Sequence, residues 1–259
     1  MARALVHRPS PTLQNCELTY LDASPIDPTL AARQHAGYVA LLRRHGFEVT
    51  VLDRNLHLPD AVFVEDTAVV LDEVAILTPM GVASRAPETG LIASALAPLR
   101  PLVRIQAPAK LEGGDVLRVG RQLFVGQGTR TDAAGLRALA AVAEPLGYEV
   151  TGVEVTGCLH LKTGCTALDP ETVLIHPDWV DGAAFAGFRR LEVPRSEPFA
   201  ANTLDLGDAV AVPSSFVATR ALLDEDGRRV EAVDISEFLK AEAGLTCMSL
   251  LVQASRRGR

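Results

Sequence analysis

The sequence predicts an α/β protein in which a strand–strand–helix–strand unit occurs five times and closes into a ring, a five-bladed α/β propeller. Three observations support this prediction. Short strands recur in pairs joined by tight turns, helical or helix-like stretches follow the pairs, and a polar residue stands just before each pair. The alternative is an ordinary α/β sheet in which polar residues stand at strand starts by coincidence.

Four strand pairs can be located from their turns. The pairs are residues 67–71 with 74–77, 116–119 with 122–125, 165–168 with 172–175, and 203–206 with 209–212. In the second pair, Gly120-Arg121 places glycine at the first central position of a hairpin turn. We expect a strand at residues 2–7 to complete the fifth unit beside residues 246–251.

Helices are expected between these pairs and a following strand. The clearest begins at Asp27-Pro28, an N-cap followed by proline at the first helical position, and ends at Gly46, before a strand at residues 47–52. A second helix begins at Thr131-Asp132 and stops near Gly147. Shorter helices are predicted over residues 87–97, 216–224 and 235–243, the last ended by Gly244.

The polar residues that precede the strand pairs form a regular series: Glu65, Glu112, His160, Asn202 and Cys247. Their separations are roughly 47, 48, 42 and 45 residues, which is typical of propeller-like repeats. Equivalent positions in a closed ring face its axis, so these side chains are expected to converge on a central cavity. Five such units use the whole chain, so residues 1–259 are predicted to form a single catalytic domain.

Cys247 and His160 are a candidate nucleophile and acid/base pair if they meet at that axis. Taken singly, each has a structural interpretation: a lone cysteine is usually a small core residue, a histidine is often a satisfied core or surface residue, and Glu112 could cap a turn. Cys158, His160 and Cys165 could alternatively bind zinc. Their spacing matches no common zinc pattern, so we predict no metal site.

Charged residues indicate what the cavity would bind. Asp60 and Glu65-Asp66 precede an apolar strand pair, where buried carboxylates need a cationic partner. Arg85 and Arg130 stand at equivalent places in consecutive units, where they could clamp a carboxylate or form structural ion pairs. A molecule with a guanidinium at one end and an α-carboxylate at the other, arginine or a derivative, would satisfy both groups.

Composition narrows the function class. The formal charge of -7 argues against nucleic acid as a partner and is compatible with a cationic small-molecule substrate. No stretch approaches the length of a membrane span, and the N-terminal apolar run is too short for a signal peptide. Four cysteines in a chain of this length are no disulfide framework. We therefore expect a cytoplasmic protein with no membrane partner; a homodimer is left open.

The motifs together resemble those of the dimethylarginine dimethylaminohydrolases, within the guanidino-modifying (pentein) superfamily of five-bladed α/β propellers. The resemblance covers essentially the whole chain. It is carried by Pro59-Asp-Ala-Val-Phe-Val-Glu-Asp-Thr67, Glu112-Gly-Gly-Asp115, Thr129-Arg-Thr131, Leu159-His-Leu-Lys-Thr-Gly164, Ala200-Ala-Asn202 and Thr246-Cys-Met-Ser249.

The resemblance implies hydrolysis of monomethyl- and asymmetric dimethylarginine to citrulline and methylamine or dimethylamine, without a cofactor. Cys247 would be the nucleophile, forming a covalent thiouronium, and His160 the general acid/base. It also implies that Glu112 and Asp66 hold the guanidinium, with Glu65 beside them. Asp60 would bind the α-ammonium, and Arg85 and Arg130 would bind the carboxylate. The backbone carbonyls of Leu18 and Ala241 would complete the pocket. The loop around Leu18 would act as a lid.

Two other functions are compatible with the same fold. An arginine deiminase would release ammonia from unsubstituted arginine, but these enzymes carry an extra helical segment and have His-x-Asp where this chain has His160-Leu-Lys162. A lysine cannot accept a hydrogen bond from a guanidinium, so its head is expected to turn away and leave apolar room for methyl groups. A non-catalytic binding protein would have no need of Cys, His and Glu in register.

Overall fold

The structure, a computed structural model, describes residues 2–253. The strands in this range are β1 (Arg3–His7), β2 (Glu48–Leu52), β3 (Ala68–Val70), β4 (Ala75–Leu77), β5 (Leu102–Arg104), β6 (Val116–Val119), β7 (Gln122–Gln127), β8 (Glu149–Glu154), β9 (Cys165–Asp169), β10 (Thr172–Ile175), β11 (Arg189–Glu192), β12 (Leu204–Asp205), β13 (Val210–Pro213), β14 (Val230–Val233) and β15 (Leu250–Val252). The α-helices are α1 (Pro28–Arg44), α2 (Glu88–Leu96), α3 (Ala133–Ala143), α4 (Leu161–Gly164), α5 (Val217–Glu225) and α6 (Ser236–Leu239).

The strands form five three-stranded sheets, β15-β1-β2, β3-β4-β5, β6-β7-β8, β9-β10-β11 and β12-β13-β14. In each sheet the middle strand runs antiparallel to the inner strand and parallel to the outer one. A parallel pair needs a crossover connection. Helices α1, α2, α3 and α5 supply four of these crossovers, and the 3-10 turn Gly182–Phe185 lies in the fifth. The predicted unit and its number are confirmed.

The ring is closed by the two ends of the chain. Strand β1 pairs antiparallel with β15, with Arg3 opposite Val252 and Leu5 opposite Leu250. Neighbouring inner strands touch: β6 contacts β9, β9 contacts β12, and β15 contacts β3. The predicted role of the N-terminal strand is therefore confirmed, and the inner strands surround the centre of the molecule.

Helix α1 follows the sequence signals closely. The Asp27 side chain accepts hydrogen bonds from the backbone N–H groups of Thr29 and Leu30 at 2.8 and 3.1 Å, which satisfies two of the unpaired donors of the first turn. The apolar face of the helix buries Tyr38 and Leu42 completely. No helix among residues 2–253 is both long and apolar enough to cross a membrane.

The prediction for residues 235–243 was wrong in extent. Helix α6 stops at Leu239, and the chain then turns through Glu242, whose φ of 57° lies in the left-handed region. The Ala243 N–H returns to the Phe238 carbonyl oxygen at 3.1 Å. The reversal expected at Gly244 is thus made by Glu242, a conformation that costs a non-glycine residue about 1–2 kcal/mol.

Short helical turns that the sequence did not indicate hold the polar series. Each precedes an inner strand, with at most two residues between the turn and the strand. They are the 3-10 turns Val64–Thr67, Gly113–Asp115, Pro198–Ala201 and Thr246–Met248, and the single turn of α4. Glu65 and Cys247 lie within such turns, whereas Glu112, His160 and Asn202 flank them. The turns bring all five side chains to the centre of the ring.

Candidate active site

A narrow cavity lies at this centre. Of the ten residues predicted for the site, seven line it: Asp60, Asp66, Arg85, Arg130, His160, Ala241 and Cys247. Glu17, Phe63, Leu159, Glu242 and Ala243, which the sequence analysis did not assign, also line it. About 20 Å³ is open to the centres of water-sized molecules, room for about one water. The cavity must therefore widen before a molecule as large as arginine can enter.

The three remaining predicted residues lie around this cavity without forming its wall. Glu112 is completely buried and lies behind His160, to which it is hydrogen-bonded. Glu65 is buried with both carboxylate oxygens engaged. Leu18 is half-buried in the loop that runs past the cavity.

Cys247 is a buried thiol. The backbone N–H of Gly244 donates to its Sγ at 3.3 Å. Burial raises the pKa of Cys247, and the carboxylates of Glu65 and Asp66 raise it further, while the Gly244 N–H and Lys162 act in the opposite direction. In this form of the site, sulfur is therefore protonated at neutral pH.

His160 is held by carboxylates. Its Nε2 lies 2.7 Å from Glu112 Oε2, and its Nδ1 lies 3.9 Å from Asp66 Oδ1. Burial lowers the pKa of His160, but Asp66, Asp115 and Glu112 outweigh this effect and raise the pKa to about 9. Burial alone would raise the pKa of Glu112, but the hydrogen bond and charge of His160, with Arg85 and Arg130, lower it to about 2. The pair is thus an imidazolium and a carboxylate at neutral pH.

Gly113 and Gly114, which follow Glu112, lie so close to neighbouring atoms that a side chain would not fit at either position. A Cβ on Gly113 would lie 2.0 Å from the backbone oxygen of Glu65, and one on Gly114 would lie 2.6 Å from Asp66 Oδ1 and 2.7 Å from His160 Nδ1. The Gly114 N–H donates to Asp66 Oδ1 at 3.1 Å. Side chains at either position would push the carboxylates and the imidazole apart.

Asp115 supports His160 from behind, a role that the sequence analysis did not assign. It accepts hydrogen bonds from the Leu161 N–H at 2.9 Å and from Thr131 Oγ1 at 2.6 Å. Cys158 Sγ lies 3.4 Å from the His160 carbonyl oxygen. Both contacts anchor the peptide group that joins His160 to Leu161, and the signal for Asp115 was its place in the Glu-Gly-Gly-Asp motif.

The two arginines differ in how far they are already engaged. Arg85 donates to both oxygens of Glu88 at 3.1 and 2.8 Å, to Asp66 at 2.7 Å and to the Phe63 carbonyl at 3.0 Å. These four bonds use four of its five N–H groups. Arg130 makes only long contacts of 3.4 Å, to Glu112 Oε1 and Thr19 Oγ1. Arg130 therefore has more donor capacity left for a ligand.

Lys162 and Glu65 form an ion pair beside the nucleophile. Lys162 Nζ lies 2.5 Å from Glu65 Oε1, and Thr246 Oγ1 donates to Glu65 Oε2 at 2.7 Å. The lysine is not among the residues that line the cavity, and its head stays within the carboxylate cluster, where it pairs with Glu65. That it turns away from a bound guanidinium and leaves apolar room stays a prediction. Burial raises the pKa of Glu65, and Lys162 opposes that shift.

The loop around Leu18 lies over the cavity and is tied down by two carboxylates. Glu242 Oε1 accepts the backbone N–H groups of Thr19 at 2.9 Å, Tyr20 at 2.5 Å and Leu21 at 2.5 Å. Asp60 accepts the Glu17 N–H at 3.2 Å, and burial raises the pKa of Asp60 to about 6. These bonds hold the loop that we predict to be a lid against the cavity, with Glu17 in its wall.

Within residues 2–253, Asp66, Glu112 and His160 are the group of three that could present ligand atoms to one metal ion. Cys158 and Cys165, which a zinc site would have used, are not among them. The two carboxylates already face cations, because Asp66 bonds Arg85 and Glu112 contacts both Arg130 and the imidazolium. A protonated imidazole has a hydrogen on both ring nitrogens, so His160 in this form has no lone pair to offer a metal ion.

Fold and site together define a pentein with a cysteine and a histidine at its centre. The family model described as N,N dimethylarginine dimethylhydrolase, eukaryotic, matches residues 23–181. The chain is 40% identical over 250 residues, 96% of both chains, to the N(G),N(G)-dimethylarginine dimethylaminohydrolase of Streptomyces coelicolor. It is 34% identical over 226 residues to the enzyme of that name from Pseudomonas aeruginosa, covering 86% of this chain and 89% of the relative. The chain belongs to the dimethylarginine dimethylaminohydrolase family.

Solved structures agree with this assignment. A cysteine-to-serine mutant of the Pseudomonas aeruginosa enzyme, in complex with citrulline, superposes with a TM-score of 0.92 at 32% identity, covering 96% of this chain and 98% of that one. The N-terminal domain of the cyanobacterial arginine dihydrolase ArgZ superposes with a TM-score of 0.84 at 19% identity, covering 97% of this chain and 98% of that one. At that identity the likeness shows the shared fold alone.

Proposed function

We propose that this protein hydrolyses Nω-methylated arginines to citrulline and methylamine or dimethylamine. The observation that carries the proposal is the placement of the Cys247 thiol and the His160 imidazolium on the wall of one buried cavity, with the Asp66 carboxylate beside them. Family membership and the citrulline complex of the relative support the same substrate class.

The substrate's own charge starts the reaction. Burial is the main cause of the raised pKa of Cys247, and the charges of Glu65 and Asp66 add to it. A guanidinium placed against Asp66 offsets the charge effect and puts a positive charge beside the sulfur, so the thiol loses its proton to solvent. The thiolate attacks the guanidinium carbon and forms a C–S bond. His160 gives its proton to the methylated nitrogen, the C–N bond breaks and the amine departs, which leaves a thiouronium on sulfur.

Hydrolysis of this intermediate regenerates the site. His160, now neutral, takes a proton from a water molecule whose oxygen attacks the thiouronium carbon. The C–S bond breaks, citrulline forms, and the proton of the new hydroxyl returns to sulfur. Glu112 keeps the imidazole in place through its 2.7 Å hydrogen bond to Nε2, and the charges of Arg85 and Arg130 favour its carboxylate form also while His160 is neutral.

The far end of the substrate is assigned by charge. Arg130, with Arg85 behind it, binds the α-carboxylate, and Asp60 with the carbonyls of Leu18 and Ala241 binds the α-ammonium. Glu65 acts beside the guanidinium through its contacts with Lys162 and Thr246. Because the lid is closed over a cavity too small for arginine, substrate entry requires the loop to open. A cytoplasmic location, a homodimer and a single domain spanning residues 1–259 stay predictions from the sequence.

The test is a substrate panel of arginine, monomethylarginine and asymmetric dimethylarginine with citrulline as the readout. We expect a higher kcat/KM for a methylated form than for arginine. Cys247→Ser is expected to lose turnover while keeping its melting temperature, since loss of a catalytic nucleophile costs up to about a million-fold. A higher kcat/KM for arginine would establish the deiminase alternative, and no citrulline from any of the three would favour a binding protein.

A further inference from the structure

Asn202 is the member of the polar series that the proposed reaction does not use. It follows the 3-10 turn Pro198–Ala201, precedes β12, and is only 2% exposed. It is not among the residues that line the cavity. A buried amide at an axial position of the ring therefore needs an explanation other than contact with substrate.

The side chain of Asn202 joins the two catalytic segments. Its Oδ1 accepts the Thr246 N–H at 3.0 Å, while its Nδ2 donates to Thr246 Oγ1 at 3.0 Å and to the Lys162 carbonyl oxygen at 2.9 Å. Thr246 immediately precedes Cys247, and Lys162 is two residues after His160. One amide thus holds both the turn that carries the sulfur and the turn that follows the imidazole.

The partners fix the orientation of this amide. The Thr246 N–H is only a donor and the Lys162 carbonyl is only an acceptor. If Oδ1 and Nδ2 of Asn202 changed places, the amide NH₂ would face the Thr246 N–H, a second donor, and the amide oxygen would face the Lys162 carbonyl, a second acceptor. Thr246 Oγ1 gives its own hydrogen to Glu65 Oε2 at 2.7 Å and must accept from Asn202. Asn202 thus donates to Thr246, and Thr246 donates to Glu65. Lys162 donates to the other carboxylate oxygen of Glu65.

Asn202 also packs against the residue whose N–H bonds the sulfur. A Cβ on Gly244 would lie 2.2 Å from Asn202 Cγ, so the amide occupies the space that a side chain at 244 would need. The Gly244 N–H points to Cys247 Sγ at 3.3 Å. Moving Asn202 would therefore disturb the backbone on both sides of Thr246.

We propose that Asn202 is a positioning residue for the reaction, setting the placement of Cys247 relative to His160 through Thr246 and Lys162. This inference rests on the proposed function. Asn202→Asp has the same shape and keeps the acceptor for the Thr246 N–H, but it sets carboxylate oxygen against two acceptors and brings a negative charge close to sulfur. Asn202→Ala removes all three bonds.

The chain offers a matched control whose hydrogen-bond partners, Ala201 and Thr203, are the neighbours of Asn202 in the sequence. Thr166 is buried, and its hydroxyl bonds the Ala201 carbonyl oxygen at 2.6 Å, Thr203 Oγ1 at 2.7 Å and the Thr203 N–H at 3.3 Å. Within residues 2–253 this hydroxyl makes no hydrogen bond to Lys162 or Thr246, the two residues that Asn202 joins. Thr166→Val removes a comparable set of bonds from the same junction. If Asn202 is only a structural residue, its variants and this control will behave alike at equal loss of melting temperature.

The first readout is steady-state kinetics with the best methylarginine of the panel. We expect both Asn202 variants to lower kcat by roughly 10- to 100-fold with KM changed less than about threefold, because a misplacement near 1 Å costs on the order of 100-fold. Thr166→Val should keep kcat within about twofold. Wild-type kcat in a folded Asn202→Asp protein, or equal losses in the control, would overturn the proposal.

The second readout needs no turnover: the pH dependence of Cys247 alkylation by iodoacetamide. The midpoint should move upward in Asn202→Asp relative to wild type and stay unchanged in Thr166→Val. An unchanged midpoint in Asn202→Asp would count against positioning, even if methylarginine proved to be the wrong substrate. Should the Asn202 variants not fold, Thr246→Val must show the same losses and Thr246→Ser, which restores the hydroxyl, must recover them; failure of that pair also overturns the proposal.

Discussion

At the scale of single residues, Arg85 and Arg130 carry the same charge but have different partners. Arg85 is 3% exposed and bonded to two buried carboxylates, Asp66 and Glu88, whereas Arg130 makes only long contacts. A guanidinium enclosed in this way contributes mainly to folding, because its removal leaves buried charges unpaired. The sequence showed two equivalent arginines at equal spacing, and it could not show that one of them is already engaged.

We therefore predict that Arg85→Ala and Arg130→Ala have different effects, the first mainly on stability and the second mainly on catalysis. Arg85→Ala should lower the free energy of unfolding by about 3–5 kcal/mol, as expected when one partner of a buried ion pair is lost. Arg130→Ala should change stability little and reduce kcat/KM by roughly 2–4 kcal/mol through the lost carboxylate contact. Denaturant unfolding and kinetics on both variants check this. Agmatine lacks the carboxylate. If the enzyme hydrolysed agmatine as well as the best arginine derivative, the role of Arg130 would be contradicted.

Lys162 supplies a second prediction at this scale, concerning selectivity. Its ammonium neutralises Glu65 and accepts no hydrogen bond, so position 162 offers no acceptor to an unmethylated guanidinium nitrogen. Lys162→Asp introduces an acceptor and should raise the ratio of arginine to dimethylarginine kcat/KM, although total activity falls because two carboxylates then face each other. Lys162→Met is the matched control, since it also breaks the ion pair but adds no acceptor. An equal ratio in both variants would remove Lys162 from the basis of selectivity.

At the scale of elements, the sequence predicted well where the governing interactions are local. The start of α1 follows from Asp27 and Pro28, whose effects act within one turn. The one-turn helices before the inner strands and the early end of α6 were not predictable in this way. Their geometry depends on partners far away in the chain. Asn202 bonds Thr246 across 44 residues, and Glu242, where the chain turns after α6, accepts the Thr19 N–H across 223 residues.

The lid gives a prediction for this scale. Its three consecutive N–H groups converge on Glu242 Oε1, while Glu242 Oε2 is buried without a hydrogen-bond partner within residues 2–253. Glu242→Ala removes the acceptor but keeps a Cβ at the left-handed position, so backbone strain is unchanged. Amide exchange at Thr19, Tyr20 and Leu21 should accelerate by more than about tenfold, since local opening determines exchange of such loops.

A control for the lid keeps the geometry and removes the charge. Glu242→Gln retains a side-chain oxygen that can accept from the same N–H groups, so its amides should exchange at rates between wild type and the alanine variant. Protection at Thr19–Leu21 that is unchanged in Glu242→Ala would show that other contacts, such as Arg130 with Thr19, hold the loop closed.

At the scale of the whole molecule, the regular spacing of the polar series predicted the ring because a closed arrangement of similar units places equivalent positions around one axis. The closure itself depends on β1 lying between β15 and β2, so residues from both ends of the chain share a sheet. This blade also packs against α1, whose buried face includes His35. A change in charge on this buried face would therefore act on the blade that closes the ring.

His35 is a buried histidine that the site does not use. It is 4% exposed, and its Nε2 has no hydrogen-bond partner in the described part of the chain. Burial lowers the pKa of His35 to about 4, and the nearby His7 and Arg8 lower it further by charge. The unfolded chain, with an ordinary histidine pKa, therefore binds a proton near pH 6.5 that the folded protein takes up only near pH 4.

The final prediction follows from this difference. The stability contributed by neutral His35 is fully present above pH 6.5 and is lost as the pH falls toward 4, by about 3 kcal/mol in total. Other groups act in the opposite direction, because burial raises the pKa of Asp60 and Asp115 to about 6. The contribution of His35 is therefore measured as the difference in free energy of unfolding between wild type and a variant without this histidine. His35→Leu, which cannot titrate, should gain about 2–3 kcal/mol relative to wild type between pH 7.5 and pH 4.5, measured by urea unfolding at both pH values. A difference between the two proteins that is the same at both pH values would show that His35 is protonated without cost in the folded state.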